Sequence, residues 1–366
     1  MFNPSRLTFA RQRRGVSKTK LAGQVGLTAK SIGLYESGDQ VPSDATLKGL
    51  AEALEFPVTF FSDGSRLESV TPEGASFRSL SNMTASQRDS ALNAGSLAIA
   101  LSDWIDERFT LPQVNLRQLH QMSPEAAADS LRAAWGLGER PIKNMVHLLE
   151  AQGVRVFSLA QECLSVDAFS LWRDDVPYVF LNTVKSAERS RFDAAHELGH
   201  LVMHRHGGAK GRLAEQEADQ FASAFLMPAG SVVAVAPRLP SLRQLVQLKR
   251  SWNVSLAALV YRLKALDLIT EWHYRTLCIQ LGELGYRKNE PNAIERESSQ
   301  VLAKIFSVLA AEGTSRQKVA QSLHLQVKDL DALIFGLVGL TQVDGRGIRD
   351  TSSPRPKLTL HIGNRK

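Results

Sequence analysis

Two histidines four residues apart, with a glutamate directly after the first, stand in RFDAAHELGHLVMHRH as His196, Glu197 and His200. On a helix, residues at that spacing project from one face, one turn apart. Two imidazoles so placed can both reach one zinc ion at ~2.0–2.1 Å. Glu197 lies about 100° further round the helix, free to contact a metal-activated water without taking a coordination position. A carboxylate beside a water whose pKa has fallen to about 7 can take its proton and later pass it to a leaving amine. The bland reading is three polar residues on an ordinary helix. A catalytic zinc needs a third protein ligand, and one is offered after HGGAKG by LAEQEADQFASAFLMP. Glu215 and Asp219 are themselves four apart there. Two short helices joined by a turn can bring Glu215 to the metal and leave Asp219 to hold a histidine N–H. Glu217 is the alternative ligand, and a solvated acidic face is the alternative for all three. His204 and His206 read as surface residues or supports behind the ligands. Tyr178 reads as a half-buried packing residue, with assistance to an oxyanion as its other role.

The elements that must hold these residues follow from periodicity. Helical patterns cover 187–204 and 213–227, the second closed by Pro228. Just upstream the period changes to two in VRVFSL, DAFSLWR and VPYVFLN, which predicts a small sheet with a turn near Asp174 and Asp175. Before it come a long amphipathic helix over 85–109, then helices over 124–135 and 142–152, the last ended by Gly153. After the site, 241–270 is helical with Ser255 as a cap. Residues 298–337 give three more helices punctuated by Gly313 and a Thr314/Ser315 cap, helix-turn-helix-like in outline. They read as a packing or dimer module, or as a second DNA contact. The basic tail from Thr341 is read as mobile or as an extra strand at KLTLHI.

Residues 1–35 hold Arg6, Arg11, Arg13, Arg14, Lys18, Lys20 and Lys30 and no acidic residue. That is an electrostatic footprint for phosphates or a solvated basic face. Ser17, Thr28 and Ser43 each open a short helix, and Gly15, Gly26 and Gly38 punctuate them, which describes a helix-turn-helix unit in a small bundle. Arg11 and Glu36 are expected to form a structural ion pair.

The segment resembles the XRE (Cro/phage-repressor) family through RL, AR, GVS, LA, GLT, SI, YESG, PS and LAEAL, spread with the closing FF over residues 6–61. The resemblance implies a helix-turn-helix at about 17–36 whose recognition helix starts at Thr28. Thr28, Ala29, Lys30 and Ser31 would then face base edges in the major groove, while Lys18 and Lys20 serve phosphates. Lys18 replaces the glutamine common there, and Ala29 and Gly33 leave the reading face poor in hydrogen-bonding groups.

Residues 140–235 resemble the ImmA/IrrE family of metallopeptidases, through RSRFDAAHELGHLVMH, EQEADQFASAFLMP and VFLN. That resemblance implies His196, His200 and Glu215 as ligands and Glu197 as base. The cofactor it implies is Zn2+, with Mn2+ as the alternative, and the substrate a helix-turn-helix repressor of the XRE kind, cut to end repression after stress.

With 366 residues, 43% hydrophobic and 22% charged, two or three globular domains are expected. No apolar run approaches the ~18–20 residues of a membrane span, and the early arginines are unlike a signal peptide. Cys163 and Cys278 suggest no disulfide framework and fit the reducing cytosol. The net charge of +7 agrees with a nucleic-acid partner. The expected fold is α+β, mainly α. It comprises a five-helix XRE bundle over 1–61, a linker over 62–81 and a zincin-like domain with a small sheet and the HExxH helix over 82–240. A helical regulatory or dimerisation region over 241–340 and a basic tail over 341–366 complete it. The expected function is a cytoplasmic, DNA-binding regulator with a zinc endopeptidase domain. Its expected partners are a double-stranded operator, a repressor substrate or its own linker, and a second copy of itself, with no membrane. The rival readings are a transcription factor whose peptidase-like domain senses a ligand or metal, and an antitoxin-like regulator.

Overall fold

The computed structural model describes residues 1–64, 67, 70, 75–77, 84–159, 166–205, 211–339 and 359–360. The chain divides into two compact units. One comprises 1–111, 157–166 and 300–366, and the other 112–156 and 167–299. Each unit thus gathers chain segments that lie far apart in sequence.

In the first unit, α1 (Pro4–Arg13), α2 (Lys18–Gln24), α3 (Ala29–Ser37) and α4 (Asp44–Leu54) form the N-terminal bundle. Each begins at a side-chain cap. Asn3, Ser17, Thr28 and Ser43 accept from backbone N–H groups of the first turn, satisfying donors that the helix itself cannot. The fifth helical position is a 3-10 turn over Val58–Ser62, not an α-helix. Its Phe60 and Phe61 are fully buried with Leu7, Leu21, Ile32 and Leu50. The expected ion pair is present, Arg11 Nε standing 2.5 Å from Glu36 Oε1.

Most of the expected linker over 62–81 lies outside the described residues, although Ala75–Phe77 within it is a strand, β1. A capping box of Thr84 and Gln87 opens the 22-residue α5 (Ala85–Asp106), which is followed by β2 (Phe109–Thr110). The tail beyond 340 is described only at β6 (Thr359–Leu360), which lies in KLTLHI and is antiparallel to β2.

The second unit holds α6 (Pro124–Ala134), α7 (Met145–Ala151), α8 (Ala187–Met203), α9 (Arg212–Leu226), α10 (Ala229–Val235), α11 (Leu242–Leu248), α12 (Leu256–Ala265) and α13 (Glu271–Glu283). Its sheet is built on β4 (Ala168–Arg173) and β5 (Val176–Leu181), with the start of β3 (Arg155–Ser158) at the β5 edge. β4 and β5 pair antiparallel, with Phe169 opposite Phe180 and Leu171 opposite Tyr178. Asp174 and Asp175 both take positive φ, 46° and 63°. Two such residues in a row give a hairpin turn whose twist matches that of the strands. Tyr178 is 1% exposed and stacks on Phe180.

Helix α8 lies on this sheet. Trp172 donates to the Leu201 carbonyl at 3.1 Å. Its other side faces α9, and Gly199 explains how closely. A Cβ there would meet the Phe221 ring at 3.0 Å and the Ala218 Cα at 3.3 Å. The glycine between the two histidines therefore lets α9 approach α8 near the ligand face. The start of α8 is held by buried Lys249, whose Nζ is 3.2 Å from Glu188 and 3.1 Å from Glu290.

Gly153 ends α7 at φ 82°, with its Cβ position 2.5 Å from the Gln113 carbonyl oxygen. We expect Gly153→Ala to combine left-handed strain with a backbone clash and to cost about 2–3 kcal/mol, read from the urea midpoint.

Candidate metal centre and nucleic-acid interface

The helical spacing places His196 and His200 on one face of α8, and the two Nε2 atoms stand 3.1 Å apart. Glu215, in the first turn of α9, completes the triangle. Its Oε2 lies 3.4 Å from His196 Nε2 and its Oε1 3.4 Å from His200 Nε2. Two ligands each ~2.0–2.1 Å from a tetrahedral ion stand about 3.3 Å apart, so these separations fit one small divalent cation. Two buried nitrogens sharing one carboxylate are the donor set zinc takes. The histidines are buried, whereas the Glu215 side chain is 28% exposed and faces the solvent side of the cluster.

Both imidazoles are braced from behind. His196 Nδ1 is 2.9 Å from Asp219 Oδ1. His200 Nδ1 is 2.9 Å from His204 Nδ1, and His204 Nε2 is 3.0 Å from Glu217 Oε2. If the Nε2 of each ligand is kept for metal, the protons order themselves. His196 donates to Asp219, and His200 donates to His204, which donates to Glu217. Glu217, the alternative ligand, therefore sits at the far end of this relay, and Glu215 is the carboxylate beside both histidines. His204 is a link, not a surface residue; His206 lies outside the described residues.

Electrostatics agree with a cluster poised for a cation. Burial lowers the His200 pKa to about 4. Burial works to raise Glu215, but hydrogen bonds and charge from His196 and His200 prevail and lower it to about 2. Both groups are thus in their metal-binding protonation state at neutral pH.

Glu197 is wholly buried, and that burial raises its pKa to about 8. Ser170 Oγ donates to its Oε2 at 2.6 Å. Among the described residues its buried Oε1 has no hydrogen-bond partner. Ser170 escaped the sequence reading because it lies on β4, across the sheet interface. The available signal was a lone hydroxyl between Phe169 and Leu171 in a strand whose neighbours are apolar.

At the N-terminus the geometry narrows the basic footprint. All four arginines are internal. Arg6 pairs with Asp63 at 2.6 Å, Arg11 with Glu36, and Arg14 with Asp329 at 2.6 Å, while Arg13 is buried against Ser90. Lys18, Lys20 and Lys30 are the exposed cations of α2 and α3. Lys18 Nζ is also 3.0 Å from Glu36. Thr28 Oγ1 accepts from Ser31 N at 3.1 Å and lies 2.9 Å from Ser31 Oγ. Its hydroxyl therefore builds the helix start, and Ala29 adds no polar group to the reading face.

Among the described residues no single helix is long and apolar enough to cross a membrane. Residues 5–59 match the family model of a helix-turn-helix domain, and residues 149–264 that of the IrrE N-terminal-like domain, a peptidase family. No curated protein matches the chain. One chain thus joins an XRE-like helix-turn-helix domain to an ImmA/IrrE-like peptidase domain, the combination to which both resemblances pointed.

Proposed function

We propose that this chain is a cytoplasmic transcriptional regulator that binds an operator as a homodimer and carries a zinc-dependent endopeptidase. Its substrate on this reading is an XRE-type repressor or its own 62–81 segment, cut under stress. The observation that carries the reading is the convergence of His196, His200 and Glu215 within one ion's reach, with Glu197 on the same helix. Those three residues would hold the ion, which supplies Lewis-acid polarisation when bound. Glu197 takes a proton from the attacking water and returns it to the leaving amine. Bound there, a dication would oppose the effect of burial on Glu197 and favour its carboxylate form. Lys18 and Lys20 meet phosphates, and the start of α3, with Lys30, enters the groove.

One observation favours a second reading. Glu197, enclosed and held by Ser170, is mostly protonated at neutral pH without metal, as suits a domain that senses a metal or ligand and cuts nothing. Metal analysis of the purified chain, with mass mapping of co-encoded XRE repressors incubated with it, decides between them. Stoichiometric zinc and discrete fragments support the peptidase. Metal without fragments supports the sensor, and neither ends both.

The braces behind the ligands have their own expected effect. Asp219→Asn and His204→Ala should each weaken zinc binding about 10–100-fold, read by chelator competition.

A further inference from the structure

The three C-terminal helices α14 (Gln300–Ala311), α15 (Arg316–Ser322) and α16 (Val327–Ile334) lie in the same compact unit as the N-terminal bundle. Residues 315–336, SRQKVAQSLHLQVKDLDALIFG, align without a gap on residues 17–38, SKTKLAGQVGLTAKSIGLYESG, at a constant offset of 298. Only six positions are identical, but the backbone repeats closely. Ser17 and Ser315 cap the second helix from the same position. Leu27 N donates to Ala22 O at 2.9 Å, and Leu325 N to Ala320 O at 2.8 Å. Val16 N donates to Arg11 O, and Thr314 N to Leu309 O. Positive φ falls at Gly15, Gly26 and Gly38, and again at Gly313, His324 and Gly336. Leu21, Ala22 and Ile32 are buried, as are Val319, Ala320 and Leu330.

What differs is the face that would read DNA. Thr28, Ala29, Lys30, Ser31 and Gly33 become Gln326, Val327, Lys328, Asp329 and Asp331. One lysine and no acid become one lysine and two acids, and both acids are taken by arginines, Asp331 by Arg316 at 2.8 Å and Asp329 by Arg14. Asp329 is 2% exposed and takes both arms of the Arg14 guanidinium, at 2.6 and 2.9 Å. Arg14 also donates to the Leu54 and Glu55 carbonyls at 2.9 and 3.0 Å, and stacks on Phe56. Lys328 pairs with Glu55.

We infer that residues 300–338 are a second helix-turn-helix unit whose reading-helix start is an intramolecular docking surface for the N-terminal DNA-binding bundle, with Arg14–Asp329 as its latch. A buried bidentate arginine–carboxylate pair gives that docking its register. At the α16 start Asp329 is buried against the bundle and Lys328 is held by Glu55, while Gln326 stays exposed.

The test uses the full chain, and its two readouts are separate from peptidase activity and from zinc. Hydrogen exchange is compared for the unmodified chain, Asp329→Asn and Asp329→Ala. The expected result is at least a tenfold faster exchange at 319–334 in both variants, with the α8 and α9 amides unchanged. Binding to a mixed-sequence DNA duplex is then measured against salt. Lys20→Ala should lower the salt slope by about one, and its counterpart Lys318→Ala should leave it unaltered. Unchanged exchange at 319–334 in both Asp329 variants overturns the docking. A slope lowered by Lys318→Ala overturns the assignment of that face to protein.

Discussion

Glu197→Gln is expected to leave zinc bound and to slow peptide cleavage about a thousandfold, within the range that a positioned acid–base group supplies. The carboxamide has the shape of the carboxylate and can still accept from Ser170, but it cannot carry a proton between water and leaving amine. His196, His200 and Glu215 are untouched, so metal content should match the parent. A pH signature goes with it. Burial raises the Glu197 pKa from 4.5 to about 8 in the fold. A raised carboxyl pKa means that the folded state binds its proton more tightly than the unfolded chain. Its contribution is present below about pH 4.5 and is lost as pH rises towards 8. With metal chelated, the parent should therefore lose stability relative to the Gln variant across that window, as read by chemical denaturation. Full cleavage by the variant would remove Glu197 from the chemistry, whereas a parallel pair of stability curves would remove its burial from the energetics.

What could be read in advance was whatever repeats along one helix. His196, Glu197 and His200 on α8, and Glu215 and Asp219 on α9, follow from a 3.6-residue period alone. The relay through His204 extends the same i,i+4 ladder by one turn. It was hidden only because its far end, Glu217, comes from another helix. Ser170 was hidden for a stronger reason: nothing on a strand announces which helix residue will lie beneath it. The arginines mark the opposite error. A charge count near the N-terminus counts cations without their partners, and Asp63 and Asp329 stand 57 and 315 residues away from Arg6 and Arg14. The grouping of distant segments was hidden likewise, because 300–339 fall in the same compact unit as residue 1, and periodicity carries no information about which distant segments share one.

The buried triad at the head of α8 leads to the second large effect, a loss of about 3–5 kcal/mol for Lys249→Met by urea unfolding. Lys249 is 1% exposed and stands between two carboxylates. Glu188 also accepts from Ile294 N at 3.0 Å, and Glu290 from Leu256 N at 2.6 Å. Removing the ammonium leaves both acids in the interior with no cation between them. Burial already raises the Glu290 pKa against the pull of Lys249, so without the lysine it should rise further, and Glu290 in the variant should prefer to be protonated. The deficit is therefore expected to shrink as pH falls through the raised Glu290 pKa. Glu188→Gln combined with Lys249→Met should recover part of the loss, since an uncompensated charge is replaced by a neutral group that can still accept from Ile294. A deficit that stays constant with pH, or that deepens in the double variant, would mean that Lys249 acts through packing of its aliphatic stem and not through its charge. Because Glu188 sits in the first turn of α8, while His196 and His200 are fixed further along by the sheet and by α9, zinc affinity should fall far less than stability does.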